Sequence, residues 1–524
     1  MNTPVARAAR TPPAPPAALP APPVLLALVA VLAAALVLWR VPQFWGAVQD
    51  DGFIYFRIAA NAAHGHGPVF NAGERVDAAT SPMWLWLLAA AARLGVDLPV
   101  AAGALGMLCW VGATVWAART AQRWGTPRTM VQAAFAAAPA LALTVDARTV
   151  SYAFSGMETS FCALVWLVAA DALAGSWLQG SPARRTGWWV LAACLVRPEF
   201  VVFVLGFAAV ALRQRAIPLR PLLRSLAPAI AGGVVYLAAH AAYFGDPLPN
   251  TYYAKRQMDS VHFQLGLTYL AALPRTYPWL LLAFGAALWP RLRTVTAAWA
   301  VGLALYAFHV ASLGGDHFEF HRPFIVVLPM AMALVGAAVA LALQDSRGAI
   351  RLAAAAVVVA TIGGAAAMRV RSGAFLWVRH AAQLGYALAR TYPPTTRVGM
   401  FAIGASGYTS QLPVVDALGL ADQHIARCDL SREHSCALDI GHERGDPAYV
   451  IEHSDVIVPW GAYAPARFES VDEIREGFYS HKKFLAAANE AVAAGRLRIR
   501  NLEFAPGAYW AVFERTTPRG GASR

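Results

Sequence analysis

VLLALVAVLAAALVLW (24–39), closed by Arg40 and soon followed by Asp50-Asp51, decides how the rest of the chain is read. An unbroken apolar run of this kind approaches the ~20 residues that cross ~30 Å of hydrocarbon. A cleaved secretory leader would be shorter and would end on small residues. Here the run passes into arginine and an aromatic stretch, which predicts a retained first crossing. Composition agrees. The 524 residues are 58% apolar and 14% charged, against about 45–50% and about 25% in an ordinary soluble domain. That excludes a disordered chain and a disulfide-stapled miniprotein, and five cysteines are too few for a structural framework.

Working outward, further apolar stretches near 97–117, 129–146, 157–175, 224–244, 277–289, 294–312, 322–343 and 352–368 predict crossings. Residues 188–212 read as two short helices broken at Arg197-Pro198-Glu199, a hairpin returning to its own side. PMWLWLLAAAARL (82–94) is short for a span and is expected beside the membrane. With a cytoplasmic N-terminus, the inner loops hold Arg7, Arg10, Arg119, Arg123, Arg128, Arg184, Arg185, Arg213, Arg215, Arg220, Arg224, Arg291, Arg293, Arg347 and Arg351, against one acid, Asp345. This is the asymmetry of the positive-inside rule. The net charge of +13 is therefore a topology signal, and no nucleic-acid partner is expected.

The expectation is a helical polytopic membrane protein of about eleven membrane helices, counting the hairpin. Residues 1–21 form a disordered cytoplasmic tail and 22–368 the membrane domain. After residue 369 the long apolar runs stop. Short β-rich stretches (RVGMFAIG, VVDALGL, SDVIVPW, LRIRNLEF, YWAVFER) alternate with helical patterns such as HKKFLAAANEAVAAG (481–495). Residues 369–524 thus read as an extracytoplasmic α/β domain.

Polar residues at membrane depth are costly and usually functional, so the polar clusters of the outer loops are the informative ones. They are DDGFIYFRIAANAAHGHGPVFNAGERVDAATSP (50–82), SGMET (155–159), YFGDPLPNTYYAKR (243–256) and GGDHFEFHRPF (314–324). Residues 53–61 alternate apolar and polar side chains at helical spacing, predicting an amphipathic helix lying in the interface. Asp50 and Asp51 lead it. One aspartate suffices as a helix cap; a second suits a base acting on an acceptor hydroxyl or an oxygen ligand to a divalent cation. Both roles stay open. Asn250, Tyr252, Tyr253, Lys255 and Arg256 offer amide, phenol and cationic groups to a phosphate. Asp316, His317 and Arg322 suggest a polar substrate wall, with Arg57 and Glu158 further candidates for substrate binding. Arg197 and Glu199 are expected to pair, and Asp171 to be structural. Cys109, Cys162 and Cys194 read as small core hydrophobes. Cys428 and Cys436 are expected to form a disulfide in an oxidising compartment. FAIGASGY (401–408) evokes a phosphate loop but lacks the full glycine fingerprint.

Taken in order, DDGFIYFRIAAN…GHGPVFNAGERVDAATSPMW, SGMET, LVRPE, FGDPLPNTYYAK and GGDHFEFHRPF resemble the GT-C membrane glycosyltransferases. They are most similar to the terminal β-(1→2)-arabinofuranosyltransferase family, whose relatives include proteins named for flagellar motor control and Legionella virulence. The resemblance continues through DALGLADQHIA (416–426) and GHE (441–443). It implies a multi-pass protein of the cell membrane that takes a sugar, arabinofuranose, from a polyprenyl-phosphate donor. The acceptor would be a glycan or lipid-linked glycan on the outer face, with bilayer lipid as solvent. The family's catalytic aspartates map onto Asp50 and Asp51. No cofactor is implied beyond a possible divalent cation. Transfer of another sugar such as mannose, lipid-linked-sugar transport and a non-enzymatic role in envelope assembly are the alternatives.

Overall fold

A computed structural model describes residues 23–178, 185–255, 259–370, 376–428, 440–475 and 479–517. The expected N-terminal tail, Arg184, Arg256 and Cys436 lie outside these residues, and with Cys436 the expected Cys428–Cys436 bridge.

The membrane part begins with α1 (Pro23–Trp39), α2 (Asp50–Ala63) and α3 (Pro82–Arg93). Then follow α4 (Leu98–Gly125), α5 (Met130–Val145), α6 (Thr159–Leu178), α7 (Arg185–Val196), α8 (Val201–Arg213) and α9 (Leu219–Phe244). Next come α10 (Asn250–Lys255), α11 (Ser260–Thr276), α12 (Trp279–Leu288), α13 (Pro290–Ser312), α14 (Leu328–Ala342) and α15 (Gly348–Ala367). Among the described residues, α4, α6, α9, α13 and α15 are long and apolar enough to cross a bilayer. Residues Glu319–Ile325 join α14 at a 69° bend to make a sixth. The other expected crossings are the shorter apolar helices α1, α5 and α12, and α7 is the first arm of the expected hairpin.

Local sequence explains the boundaries. Asp97 caps α4, its side chain accepting from the Val100 N–H at 3.3 Å, with Pro99 in the first turn. Pro198 separates α7 from α8, because proline lacks the N–H that would continue the ladder. Within Glu319–Ile325, before that bend, Phe320 and His321 lie in the left-handed region, at φ 60° and 51°.

Residues from 376 onward build α16 (Leu376–Thr391), α17 (Gly404–Ser410), α18 (Gln423–Arg427), α19 (Pro447–His453) and α20 (Tyr479–Ala493) around a six-stranded sheet. The strands are β1 (Val398–Met400), β2 (Val414–Asp416), β3 (Val456–Val458), β4 (Tyr463–Ala464), β5 (Leu497–Ala505) and β6 (Ala508–Arg515). β1 pairs parallel with β2 and β3, while β6 pairs antiparallel with β3, β4 and β5. The helix α17 is the crossover between β1 and β2, so its N-terminus stands at the carboxyl ends of the parallel strands. That is where open α/β sheets take their ligands.

One buried apolar cluster runs from Ile54 and Phe56 of α2 and Trp84 and Leu88 of α3 into Leu384, Met400, Val415 and Trp510. The α2 helix is therefore packed between α3 and α17 rather than lying free in the interface. Ile54, Tyr55, Phe56, Arg57, Ile58 and Ala59 are all buried, a consecutive run that an interfacial amphipathic helix would not show. The expectation of a surface helix there is corrected. α3 spans 12 residues and donates its Trp84 indole N–H to the Gly156 carbonyl at 3.1 Å.

Candidate active site

The site assembles at the N-terminus of α2. Gly52 lets that first turn press on the SGMET loop: a Cβ here would lie 2.8 Å from the Ser155 carbonyl oxygen and 3.2 Å from the Gly156 Cα. The Gln49 N–H donates to the same Ser155 carbonyl at 2.9 Å. Two of the four polar clusters are thereby fixed together by backbone contact.

The two aspartates are not equivalent. Asp50 is 9% exposed, and its oxygens accept from the N–H groups of Gly404 (3.0 Å) and Ala405 (2.8 Å). It occupies the N-terminus of α17, the position a ligand anion takes in many α/β sheets. FAIGASGY is thus an anion cradle after all, filled by the chain's own carboxylate. Gly404 is required there, since a Cβ would lie 1.9 Å from the Asp50 carbonyl oxygen. Burial pushes the Asp50 carboxyl up to about 6, with the neighbouring Asp51 charge adding to the rise and the two N–H donors opposing it. Asp51 is half-buried, and among the described residues no side chain or backbone donor is bonded to its carboxylate. Its charge acts on Asp50 and on Arg322.

Around Arg322, on which Asp51 acts, stands a set of charged groups and phenols. Arg322 Nε donates to Asp316 at 2.8 Å, and its guanidinium lies 4.0 Å over the Phe318 ring. Tyr152 and Tyr269 lie within charge reach of Arg322 and Asp316. The Tyr269 hydroxyl is buried without a hydrogen-bond partner among the described residues. Lys255, at the end of α10, acts electrostatically on Asp316 and His317. Burial, followed by Asp316 acting in the opposite sense and then Lys255 and Arg322, leaves the His317 imidazole pushed down to about 4. It is neutral at pH 7. The Asp316 carboxyl is held low by Arg322 and His317 against the opposing effect of burial, which is the largest influence on it.

Beside this group lies a second network. Arg197 donates to Glu199 at 2.8 and 3.2 Å and to Glu158 at 3.0 Å. It also reaches the Thr80 hydroxyl at 3.4 Å, which is 3.1 Å from that of Tyr55. The expected Arg197–Glu199 pair is present, and Glu158 joins it. Asp171 pairs with Arg123. Cys162 is buried in α6, while Cys109 and Cys194 are partly buried in α4 and α7.

Several expected binding residues hold the architecture instead. Arg57 is 4% exposed and donates to the carbonyls of Phe70 (2.8 Å), Gly407 (2.7 Å) and Leu412 (2.8 Å) and to Asn71 Oδ1 (3.3 Å). Asn250 is 3% exposed; its amide donates to Gly419, Leu420 and Asp422 carbonyls and accepts from Arg427 at 2.8 Å. All three guanidinium nitrogens of Arg57 and both amide atoms of Asn250 are engaged in these contacts. Both clamp the membrane part to the sheet. Tyr253 donates to Asp246 at 2.9 Å and carries Arg427 over its ring at 4.2 Å; Tyr252 is exposed.

Residues that sequence reading missed lie at the same junction. His262 is buried between Asp259 (2.9 Å) and Glu443 (3.0 Å), and His240 between Asp77 Oδ2 (2.8 Å) and the Asp246 carbonyl (2.6 Å). The GHE motif was the only signal for the first. Among the described residues no three His, Cys, Asp or Glu side chains are grouped to hold a metal ion.

The fold has a counterpart among solved structures. The apo structure of ArnT from Cupriavidus metallidurans superposes with TM-score 0.50 at 13% identity, over 94% of this chain and 97% of that one. AglB from Archaeoglobus fulgidus, an archaeal oligosaccharyltransferase solved with an inhibitory peptide and a dolichol-phosphate, gives 0.46 at 12% identity over 75% and 64%. In sequence the chain is similar to the terminal β-(1→2)-arabinofuranosyltransferase of Mycobacterium tuberculosis, 30% identical over 256 residues. The similarity covers 44% of this chain and 39% of that protein. The protein of the same name from Corynebacterium glutamicum is 42% identical over 62 residues, 12% of this chain and 9% of that one. The chain thus spans well under half the length of the curated relatives it matches. Residues 369–500 match a family model described as a domain of unknown function (DUF8728).

Proposed function

We propose that the chain transfers a sugar, arabinofuranose, from a polyprenyl-phosphate donor to a cell-envelope glycan on the outer face of the membrane. The observation that carries this is the division of the aspartate pair. Asp50 is bound by backbone N–H groups, which leaves Asp51 the unengaged carboxylate, within charge reach of Arg322. An acceptor hydroxyl attacking the anomeric carbon must lose a proton, and the departing polyprenyl phosphate takes up the electrons of the broken C–O bond. Asp51 takes the proton; Lys255 and Arg322 face the phosphate, where fixed cations are worth more than in water. If the product keeps the donor's anomeric configuration, Asp51 acts instead as the nucleophile of a double displacement. The apolar helices around the site suit a polyprenyl tail, and the curated relatives' name supports the choice of sugar.

The test is to incubate purified protein with polyprenyl-phosphoryl-arabinose and an arabinan acceptor. Wild type extends the acceptor and Asp51→Asn does not. Full activity in Asp51→Asn would remove the assignment. Counterflow of labelled lipid with no glycosyl product would favour transport over transfer.

A further inference from the structure

We propose that Arg197, Glu158 and Glu199 form the subsite that reads the hydroxyl groups of the transferred sugar. The proposal rests on the glycosyl-transfer reading and deepens it. Three features of the cluster go beyond what holding a hairpin requires.

The first is charge. Arg197 alone would be neutralised by Glu199, which it meets with two hydrogen bonds. Glu158 is a second acid on the same guanidinium, so the ionised cluster is net negative in the apolar part of the molecule, where surplus charge is costly. The second is an unfilled valence. Glu158 is 4% exposed and gives only Oε1 to Arg197. Its Oε2 is buried with no partner among the described residues, and the same holds for the hydroxyls of Ser160 and Ser81, on the segments that carry Glu158 and Thr80. The third is access. The Arg197 and Glu199 side chains retain 28% and 20% exposure although Tyr55, Tyr306 and Arg322, from three different segments, lie within charge reach of Arg197. The pair is therefore not sealed in a core, and it shares Arg322 as an electrostatic neighbour with Asp51.

The chemistry of the occupant follows. An apolar tail gains nothing from an ion-pair network, and a phosphate is repelled by its net negative charge. A sugar hydroxyl both donates and accepts, so it satisfies an orphan carboxylate oxygen and a guanidinium edge at once. A planar Arg–Glu fork can meet two adjacent hydroxyls together. Leaving such groups unpaired is what makes a polar site selective.

Binding separates this role from a structural one. Full-length protein in nanodiscs is titrated with polyprenyl phosphate and, separately, with polyprenyl-phosphoryl-arabinose. Wild type binds the sugar-bearing lipid at least tenfold more tightly. Glu199→Gln and Glu158→Gln bind the bare lipid within twofold of wild type and lose that preference. Glu199→Gln, the more exposed of the two, keeps the wild-type melting temperature within a few degrees. Equal losses on both lipids, or no loss on either, overturn the subsite. Wild type that does not distinguish the two lipids overturns the glycosyl-transfer reading itself, and the subsite with it.

Discussion

At the scale of single residues, the DD motif carries two jobs on neighbouring positions. Asp51→Asn removes the unengaged carboxylate and is expected to lower kcat by about 10²–10⁴-fold, with the protein still folded, as product formation and melting temperature measured together will show. Asp50→Asn removes a charge from the α17 N-terminus and is expected to leave measurable activity. Its pH behaviour is the sharper check. The folded-state value of Asp50 is raised to about 6 from 3.8, so the fold favours the protonated form. That contribution is fully present below about 4 and is lost as pH rises through about 6. The wild-type melting temperature should therefore gain on that of Asp50→Asn as pH falls from 7.5 to 4.5; parallel curves would refute the assignment. Adjacency in sequence made the pair conspicuous, but which member is spent on Gly404 and Ala405 depends on a segment some 350 residues away, so no local pattern could reveal it.

Among the secondary-structure elements, legibility followed hydrophobic periodicity. The apolar stretches 97–117, 157–175 and 294–312 stand out by composition alone, and α4, α6 and α13 occupy them. The Arg197-Pro198-Glu199 break was readable because proline ends a helix whatever surrounds it. Helix α2 was misplaced because its pattern fits an interfacial helix and a helix buried between two others equally well. Only the partner decides, and the partner is α17. Arg57 shows the same limit: an arginine on such a helix reads as solvent- or ligand-facing, yet its donors go to Phe70, Gly407 and Leu412 carbonyls. Arg57→Ala would leave those carbonyls unsatisfied at the α2–α17 contact. Each charged hydrogen bond is worth roughly 1.5–3 kcal/mol, so limited proteolysis should cut between residues 400 and 415 faster in the variant. Gly404→Ala would force the Asp50 backbone away and should give the same proteolytic pattern without any change of charge.

Across the whole molecule, membrane helices and sheet share the junction at which the aspartates sit, and the contacts across it are polar as well as apolar. Asp50 caps α17, Arg57 and Asn250 bind backbone carbonyls of the sheet region, and Glu443 completes the pocket of His262. His262 is held above its ordinary value, chiefly by the hydrogen bond to Glu443 and then, against burial, by Asp259. A raised imidazole stabilises the folded state below its unfolded value near 6.5, and that stabilisation disappears as pH rises through the folded value. The junction is therefore expected to loosen on the alkaline side. In wild type, hydrogen exchange at 440–445 and 260–266 should speed up in parallel above neutrality, beyond the intrinsic increase of exchange with pH. Asp316, which acts on Tyr269 of the same helix, is held low and adds no step there. In His262→Gln, which keeps a hydrogen bond to Glu443 but cannot charge, that excess should vanish while exchange in the α4 and α6 helices stays unchanged. An excess that survives in His262→Gln would mean that a titrating group other than His262 sets the pH dependence of the junction. The pocket around Asp51 would then not depend on the protonation of His262.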